Sequence, residues 1–246
     1  MWRTVSATIR TVVLVPLFFL LTLLLAVRVI LLARRDPTDG RIDATIRWWS
    51  RRFLSMAPLR YHVEGADRLD PEERYVIVAN HLSTFDIPLL FVTLPPRIRF
   101  LAKKELYRIP LVGRAMDAIG IVEIDRERAR SAHEAINTAS REVVRRGFSL
   151  IVFPEGSRSR DGRMRPFKKG AFRIAIDLGL PIVPVVIRGT RESWAPGAKV
   201  FSPGRAEVRV LEPVATDRLV AADARRLVEE VHERMQAVYA ALSHQS

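Results

Sequence analysis

A chain of 246 residues, 48% of them hydrophobic, is long enough for one α/β domain with a sizeable core plus an appendage, and too apolar to be disordered. It has no cysteine, which excludes disulfides and cysteine-based metal or redox chemistry, and its five histidines form no H-E-x-x-H pattern, which argues against a zinc enzyme. The formal charge of +13 is unevenly placed: residues 1–62 hold ten arginines against three aspartates, for +7, and the rest of the chain supplies +6.

Such a basic balance suits nucleic acid, an anionic membrane surface or acidic ligands. Here the arginines flank apolar segments, which favours the membrane. Thr11 to Val27 are 17 uncharged, mostly apolar positions between Arg10 and Arg28. As a helix they measure roughly 25 Å, slightly short of the ~30 Å hydrocarbon core. An Arg28 that reaches to the headgroups extends the apolar stretch to Ala33. Pro16 is a point where the helix can kink. The absence of a clear small-residue cleavage site argues against a signal peptide. Two arrangements remain open: a span whose more basic following side is cytoplasmic, and a re-entrant or interfacial helix with both ends cytosolic. Both place the protein at the cytoplasmic membrane with its site facing the cytoplasm.

The next stretch, RIDATIRWWSRRFLSM, has Ile42, Ile46, Trp49, Phe53 and Met56 on one helical face, with Arg47, Arg51 and Arg52 elsewhere. It reads as an interfacial helix, as a helix packed on the domain, or as both. From about residue 59 short β-rich runs alternate with helical stretches. Predicted strands are LRYHVE, YVIVA, IRFLA, IVEI, FSLIVF, IVPVVI and AEVRVLE. Predicted helices are DIPLLFVTL with Asp86 at its N-cap, IPLVGRAMDAIG, residues 126–146 stopped by Gly147, GAFRIAIDLG, and an amphipathic tail from residue 223. The expected fold is therefore α/β, a sheet packed by helices, with residues 1–58 as N-terminal membrane-associated helices and 59–246 as the α/β domain.

Two strands end in compact polar clusters. The first is Asn80-His81-Leu-Ser-Thr-Phe-Asp86. Positions five apart on one helix point roughly 140° away from each other, but a loop between a strand end and a helix start can fold the carboxylate onto one imidazole nitrogen. That carboxylate fixes the tautomer, stabilises the imidazolium and leaves the other nitrogen free as a general base. No G-x-S-x-G elbow accompanies it, so the base suits a hydroxyl carried by a substrate. Alone, the pair reads equally well as a hydrogen-bonded turn. The second cluster, PEGSRSRDGRMRPFKKG, holds Glu155, Gly156, Ser157, Arg158 and further cations. Guanidiniums bind phosphate bidentately, and Glu155 is placed either to order the loop or to bind a hydroxyl; a solvated basic loop is the plainer alternative. A third candidate is Asp125-Arg126, at the end of IVEI.

Together these stretches resemble the glycerophospholipid acyltransferase family, in particular its bacterial lysophosphatidic acid acyltransferases. N-H-x-x-x-x-D spans Asn80 to Asp86. KKEL (103–106) and GIVEIDR (120–126) match the second family motif, FPEGSRS (153–159) the third, with Ser157 where threonine is common, and GLPIVPVVIRG (179–189) the fourth. The resemblance covers about residues 60–190. It implies a mixed central sheet flanked by helices. It implies that His81 deprotonates an acceptor hydroxyl for attack on an acyl thioester while Asp86 orients the ring. It further implies that Arg126, Glu155, Gly156, Ser157 and Arg158 help bind a glycerol-phosphate acceptor, and that Lys103 stabilises the oxyanion.

On this resemblance the reaction moves a fatty acyl group from acyl-CoA or acyl carrier protein to lysophosphatidic acid, giving phosphatidic acid for phospholipid biosynthesis. No metal or cofactor is needed, since the thioester is a substrate, and the partners are the bilayer and these substrates, with no nucleic acid. Competing expectations are another acceptor, such as a lysophospholipid or lyso-ornithine lipid, hydrolysis of the thioester, and a non-enzymatic peripheral lipid-binding protein.

Overall fold

Alternation along the strands decides the architecture. In β2 (Val76–Ala79), Val76 and Val78 enter one apolar cluster while Ile77 and Ala79 enter another. In β6 (Ile182–Arg188), Ile182 and Val186 join the first cluster and Val183, Val185 and Ile187 the second. Strands covered on both faces read as unbroken apolar runs, which is why VIVA and IVPVVI carry no polar position.

The structure is a computed structural model and describes residues 2–95, 97–124 and 131–243. β2 and β6 lie centrally in one seven-stranded sheet with β1 (Leu59–Glu64), β3 (Ile98–Lys103), β4 (Val122–Ile124), β5 (Ser149–Val152) and β7 (Gly204–Val210), in the order β1-β7-β6-β2-β5-β3-β4. Only β6 and β7 run antiparallel; the other neighbours are parallel. This is the expected α/β fold with a mixed central sheet.

One face of the sheet is covered by α1 (Trp2–Ala33), α2 (Gly40–Met56), α3 (Asp86–Thr93) and α5 (Val112–Ala118), the other by α6 (Ser131–Arg145), α7 (Gly170–Leu178) and α9 (Ala224–Ser243). Two single turns, α4 (Lys104–Tyr107) and α8 (Thr190–Ser193), follow strand ends and carry no periodicity a sequence could show.

α1 continues through Pro16. Its residues Thr11–Ala33 have a mean hydropathy of 2.7, long and apolar enough to cross a membrane. Ala26 and Val29 face the protein, whereas Leu17, Leu20, Leu24 and Leu31 are exposed. Arg28 is exposed, and its Nε donates to Thr45 Oγ1 of α2 at 3.3 Å.

α2 starts at Asp39, whose carboxylate accepts from the Arg41 N–H at 2.8 Å. Its apolar face is turned inward: Ile42, Leu54 and Met56 are buried in the same core as β2 and β6, with Ile46 and Phe53 packed against it. Arg51 and Arg52 remain exposed. Trp49 Nε1 donates to Thr22 Oγ1 of α1 at 2.9 Å.

Two polar contacts bind α2 into the domain. Arg99 of β3, fully buried, donates to Asp43 Oδ1 at 2.7 Å and to the carbonyl of Ile119 at 2.6 Å. Arg47 donates to the carbonyls of Leu94 at 2.7 Å and Val92 at 3.2 Å. Those carbonyls close α3, where a cation also meets the negative end of the helix dipole. At the other end of α3, Phe53 meets Phe85 edge-on at 5.5 Å. α2 thus holds α3 at both ends.

Candidate active site

β2 and β5 are parallel neighbours, with Val78 beside Val152, so the polar clusters that follow them emerge at the same sheet edge. Carboxyl ends of parallel strands are where open α/β sheets form their crevices. β3 ends at that edge too, and the backbone of Lys103 is its last residue, opposite Ile124. Asp125 and Arg126 lie outside the described residues.

His81 and Asp86 meet as their spacing suggested. Nδ1 of His81 lies 2.7 Å from Asp86 Oδ2, and that same oxygen accepts the backbone N–H groups of Leu82 at 2.6 Å and Ser83 at 2.8 Å. Asp86 does not cap α3. It is the first helical residue, fully buried, with its carboxylate turned back onto the loop it closes. Three hydrogen bonds to one buried oxygen offset the cost of keeping a carboxylate out of water.

The imidazole stacks on Phe153, the residue that follows β5 (centroids 4.0 Å apart, planes at 17°). With Nδ1 engaged and the ring in a fixed plane, Nε2 has no hydrogen-bond partner among the described residues, and the side chain borders a cleft of about 1550 Å³. That arrangement leaves Nε2 free to take a proton from a group held in the cleft.

The second cluster is fastened to the first through Glu155. Its Oε1 accepts the His81 N–H at 2.8 Å and its Oε2 the Arg165 N–H at 3.0 Å, while the His81 carbonyl accepts from the Ser159 N–H at 2.8 Å. Of the two roles open to Glu155, these are the bonds of a residue that orders the loop. Burial pushes its carboxyl up to about 7, against the opposing pull of the two N–H groups. Gly156 takes a φ of +76°, which lets the chain turn directly after Glu155. Ser157 Oγ accepts from Arg165 Nη1 at 2.7 Å, and Arg158 Nη1 donates to Thr84 Oγ1 of the first loop at 2.6 Å.

The cleft is lined by cations, Arg158, Arg160, Arg163 and Arg165, and by apolar side chains, among them Ile87, Phe100, Leu101, Leu106 and Val152. A lining of both kinds suits a ligand with an anionic head and a hydrocarbon tail.

Several contacts have no sequence signature. Thr190 donates to Asp86 Oδ1 at 2.6 Å from 104 residues away. Three side chains hold carbonyls of the arginine loop: Arg191 at Arg160, Tyr239 at Gly162 and His232 at Arg165. Two of these come from α9, a helix without any motif. The one available clue was topological, since Gly189-Thr190 directly follows a strand that ends at the shared edge.

Residues 60–188 match the family described as Acyltransferase. The chain is 35% identical to mouse (Mus musculus) 1-acyl-sn-glycerol-3-phosphate acyltransferase alpha, over 75% of this chain and 65% of that protein. It is 35% identical to the human (Homo sapiens) beta protein of the same name, over 80% and 71%. The crystal structure of the 1-acyl-sn-glycerophosphate (LPA) acyltransferase PlsC from Thermotoga maritima superimposes with a TM-score of 0.84 at 27% identity, covering 98% of both chains. The chain thus spans just under two thirds of the mouse relative's length and nearly all of the bacterial one. The matched span contains both His81–Asp86 and the arginine loop, and on this ground the chain belongs to the acyltransferase family.

Proposed function

We propose that the protein transfers a fatty acyl group from a thioester, acyl-CoA or acyl carrier protein, to the free hydroxyl of lysophosphatidic acid. The observation that carries the proposal is His81, oriented by the buried Asp86, bordering the same cleft as Arg158, Arg163 and Arg165. The names of the relatives support the choice of acceptor.

In this mechanism the arginine loop holds the acceptor's phosphate and the apolar residues lining the cleft its neighbouring hydrocarbon. His81 Nε2 takes the hydroxyl proton as the oxygen attacks the thioester carbonyl. Asp86 stabilises the imidazolium, and Lys103 and Arg126 are assigned to the oxyanion and the phosphate. Collapse of the tetrahedral intermediate breaks the C–S bond, and the imidazolium returns its proton to the departing thiolate. Ester and thiol are the products, the thioester is consumed as substrate, and acid–base chemistry at His81 asks for no metal or prosthetic group.

The exposed apolar flank of α1 and the arginines of residues 1–62 support a location at the cytoplasmic membrane, and on this reading the site faces the cytoplasm. Residues 1–58 serve as the membrane-associated helices and 59–246 as the acyl-transferring domain. Thiol release from a long-chain acyl-CoA by purified protein in mixed micelles tests the reading, with lysophosphatidic acid, other lysolipids or no acceptor. Release that needs lysophosphatidic acid and is lost in His81→Ala is the expected result. Release with a different lysolipid alone would replace the acceptor, and undiminished turnover by His81→Ala would remove the mechanism.

A further inference from the structure

The proposed mechanism uses Asp86 Oδ2, and the other oxygen of that carboxylate is engaged as well. Asp86 and Thr190 are both fully buried, and the Thr190 hydroxyl donates to Oδ1 at 2.6 Å. A hydroxyl-to-carboxylate bond of that length is charge-assisted and among the stronger ones a protein makes.

The chain goes to some length to put Thr190 there. β6 runs parallel to β2, with Ala79 beside Val185, so both leave the sheet at one edge. Beyond Ala79 the side-chain amide of Asn80 continues the pairing, accepting from the Ile187 N–H at 2.7 Å and donating to the Ile187 carbonyl at 2.8 Å. Gly189 then turns with a φ of +87°, and any Cβ there would collide with the Arg205 carbonyl oxygen. The residue after this turn is Thr190, first in α8.

We infer that Thr190 is a positioning residue for the His81–Asp86 pair, and this rests on the reading of His81 as the base. With bonds on both oxygens the carboxylate cannot rotate without breaking one of them, so Oδ2 stays aligned with Nδ1. The Thr190 proton also draws negative charge toward Oδ1, which moderates how strongly Asp86 holds the imidazolium. Without that hydroxyl Oδ1 is buried and unpaired. The charge then concentrates on Oδ2, and the ring keeps its proton to higher pH.

Three substitutions separate the hydroxyl from the methyl: Thr190→Val removes the hydroxyl, Thr190→Ser the methyl, and Thr190→Ala both. Each is measured for kcat and KM with lysophosphatidic acid, for the acidic limb of the kcat profile against pH, and for folding by circular dichroism. His81→Ala is run beside them. Glu155, bonded to the His81 N–H, and Arg158, bonded to Thr84, are the charged groups facing the pair from the loop after β5. Both are common to all variants, so differences between variants report Thr190.

In Thr190→Val and Thr190→Ala, kcat should fall about ten- to hundredfold with KM little changed, and the acidic limb should move to higher pH. Thr190→Ser should stay near wild type in both. Activity that follows the methyl, with Val normal and Ser impaired, overturns the inference, as does equal impairment of all three with the limb unmoved. Should Val fail to fold, the contrast of Ser with Ala still decides. Turnover retained by His81→Ala would instead remove the base itself, and the role of Thr190 with it.

Discussion

Glu155→Gln tests how the two loops of the site are joined, through the pH dependence of stability. The Glu155 carboxyl, ordinarily near 4.5, is pushed up to about 7 by burial in the fold, although both oxygens accept backbone N–H groups. Between those two values the native state holds a proton that the unfolded chain has released. Glu155's contribution is therefore fully present below about pH 4.5 and is lost as pH rises through about 7. A difference of about 2.5 in pKa, at about 1.4 kcal/mol per pH unit, amounts to about 3 kcal/mol. Glutamine does not titrate, so this component disappears in the variant. Its amide also turns a donor toward one of the two N–H groups, but that cost is the same at every pH.

The assay is thermal unfolding in detergent micelles, followed by circular dichroism, for both proteins from about pH 4.5 to about pH 8. At about 2–4 °C per kcal/mol for a chain of this size, Tm of the variant minus Tm of the wild type should rise by about 6–12 °C across that range. Every other titrating group is present in both proteins and cancels. Parallel curves, or a difference that shrinks as pH rises, would refute the reasoning.

Arg99→Met strands the buried Asp43 carboxylate and should cost about 3–5 kcal/mol, seen as a lower Tm, whereas adding Asp43→Leu should recover most of that loss. Arg158→Ala removes one guanidinium from the cleft wall and its tie to Thr84. Steady-state assays in mixed micelles should show KM for lysophosphatidic acid raised about ten- to hundredfold with kcat much less affected.

What the sequence made legible follows the physics of each signal. The central strands β2, β5 and β6 announce themselves as apolar runs and β7 as an alternation, and the parallel pairing of β2 with β5 explains why two polar clusters far apart in the chain share one edge. The meeting of His81 and Asp86 was also readable, because a strand end and a helix start separated by four residues leave the loop few ways to close. The direction of Asp86 was not: an acidic residue opening a helix suggests a cap, but the N–H groups of Leu82 and Ser83 compete for the carboxylate and win.

For α2 the sequence left open an interfacial helix, a helix packed on the domain, or both, and its apolar face does pack on the domain. The polar part of that packing became visible only with β3 in place, since Arg99 and the carbonyls of α3 are the groups that hold Asp43 and Arg47. Thr190, Tyr239 and His232 reach the site through hydrogen bonds across long sequence separations, and a lone threonine, tyrosine or histidine has no periodicity to betray it.

The way α2 is built into the protein limits how such chains can be recombined. Its apolar face supplies Ile42 and Leu54 to the core, and Asp43 and Arg47 bond β3 and the end of α3. A hybrid that keeps this sheet and takes its first two helices from elsewhere would therefore need its own partners for Arg99 and for the end of α3. For exchange purposes the natural unit is α2 together with α3 and β3, a block that crosses the boundary between the membrane-facing segment and the chemistry. Cutting at residue 58 would divide that block, whereas cutting in the turn between α1 and α2 would leave it whole.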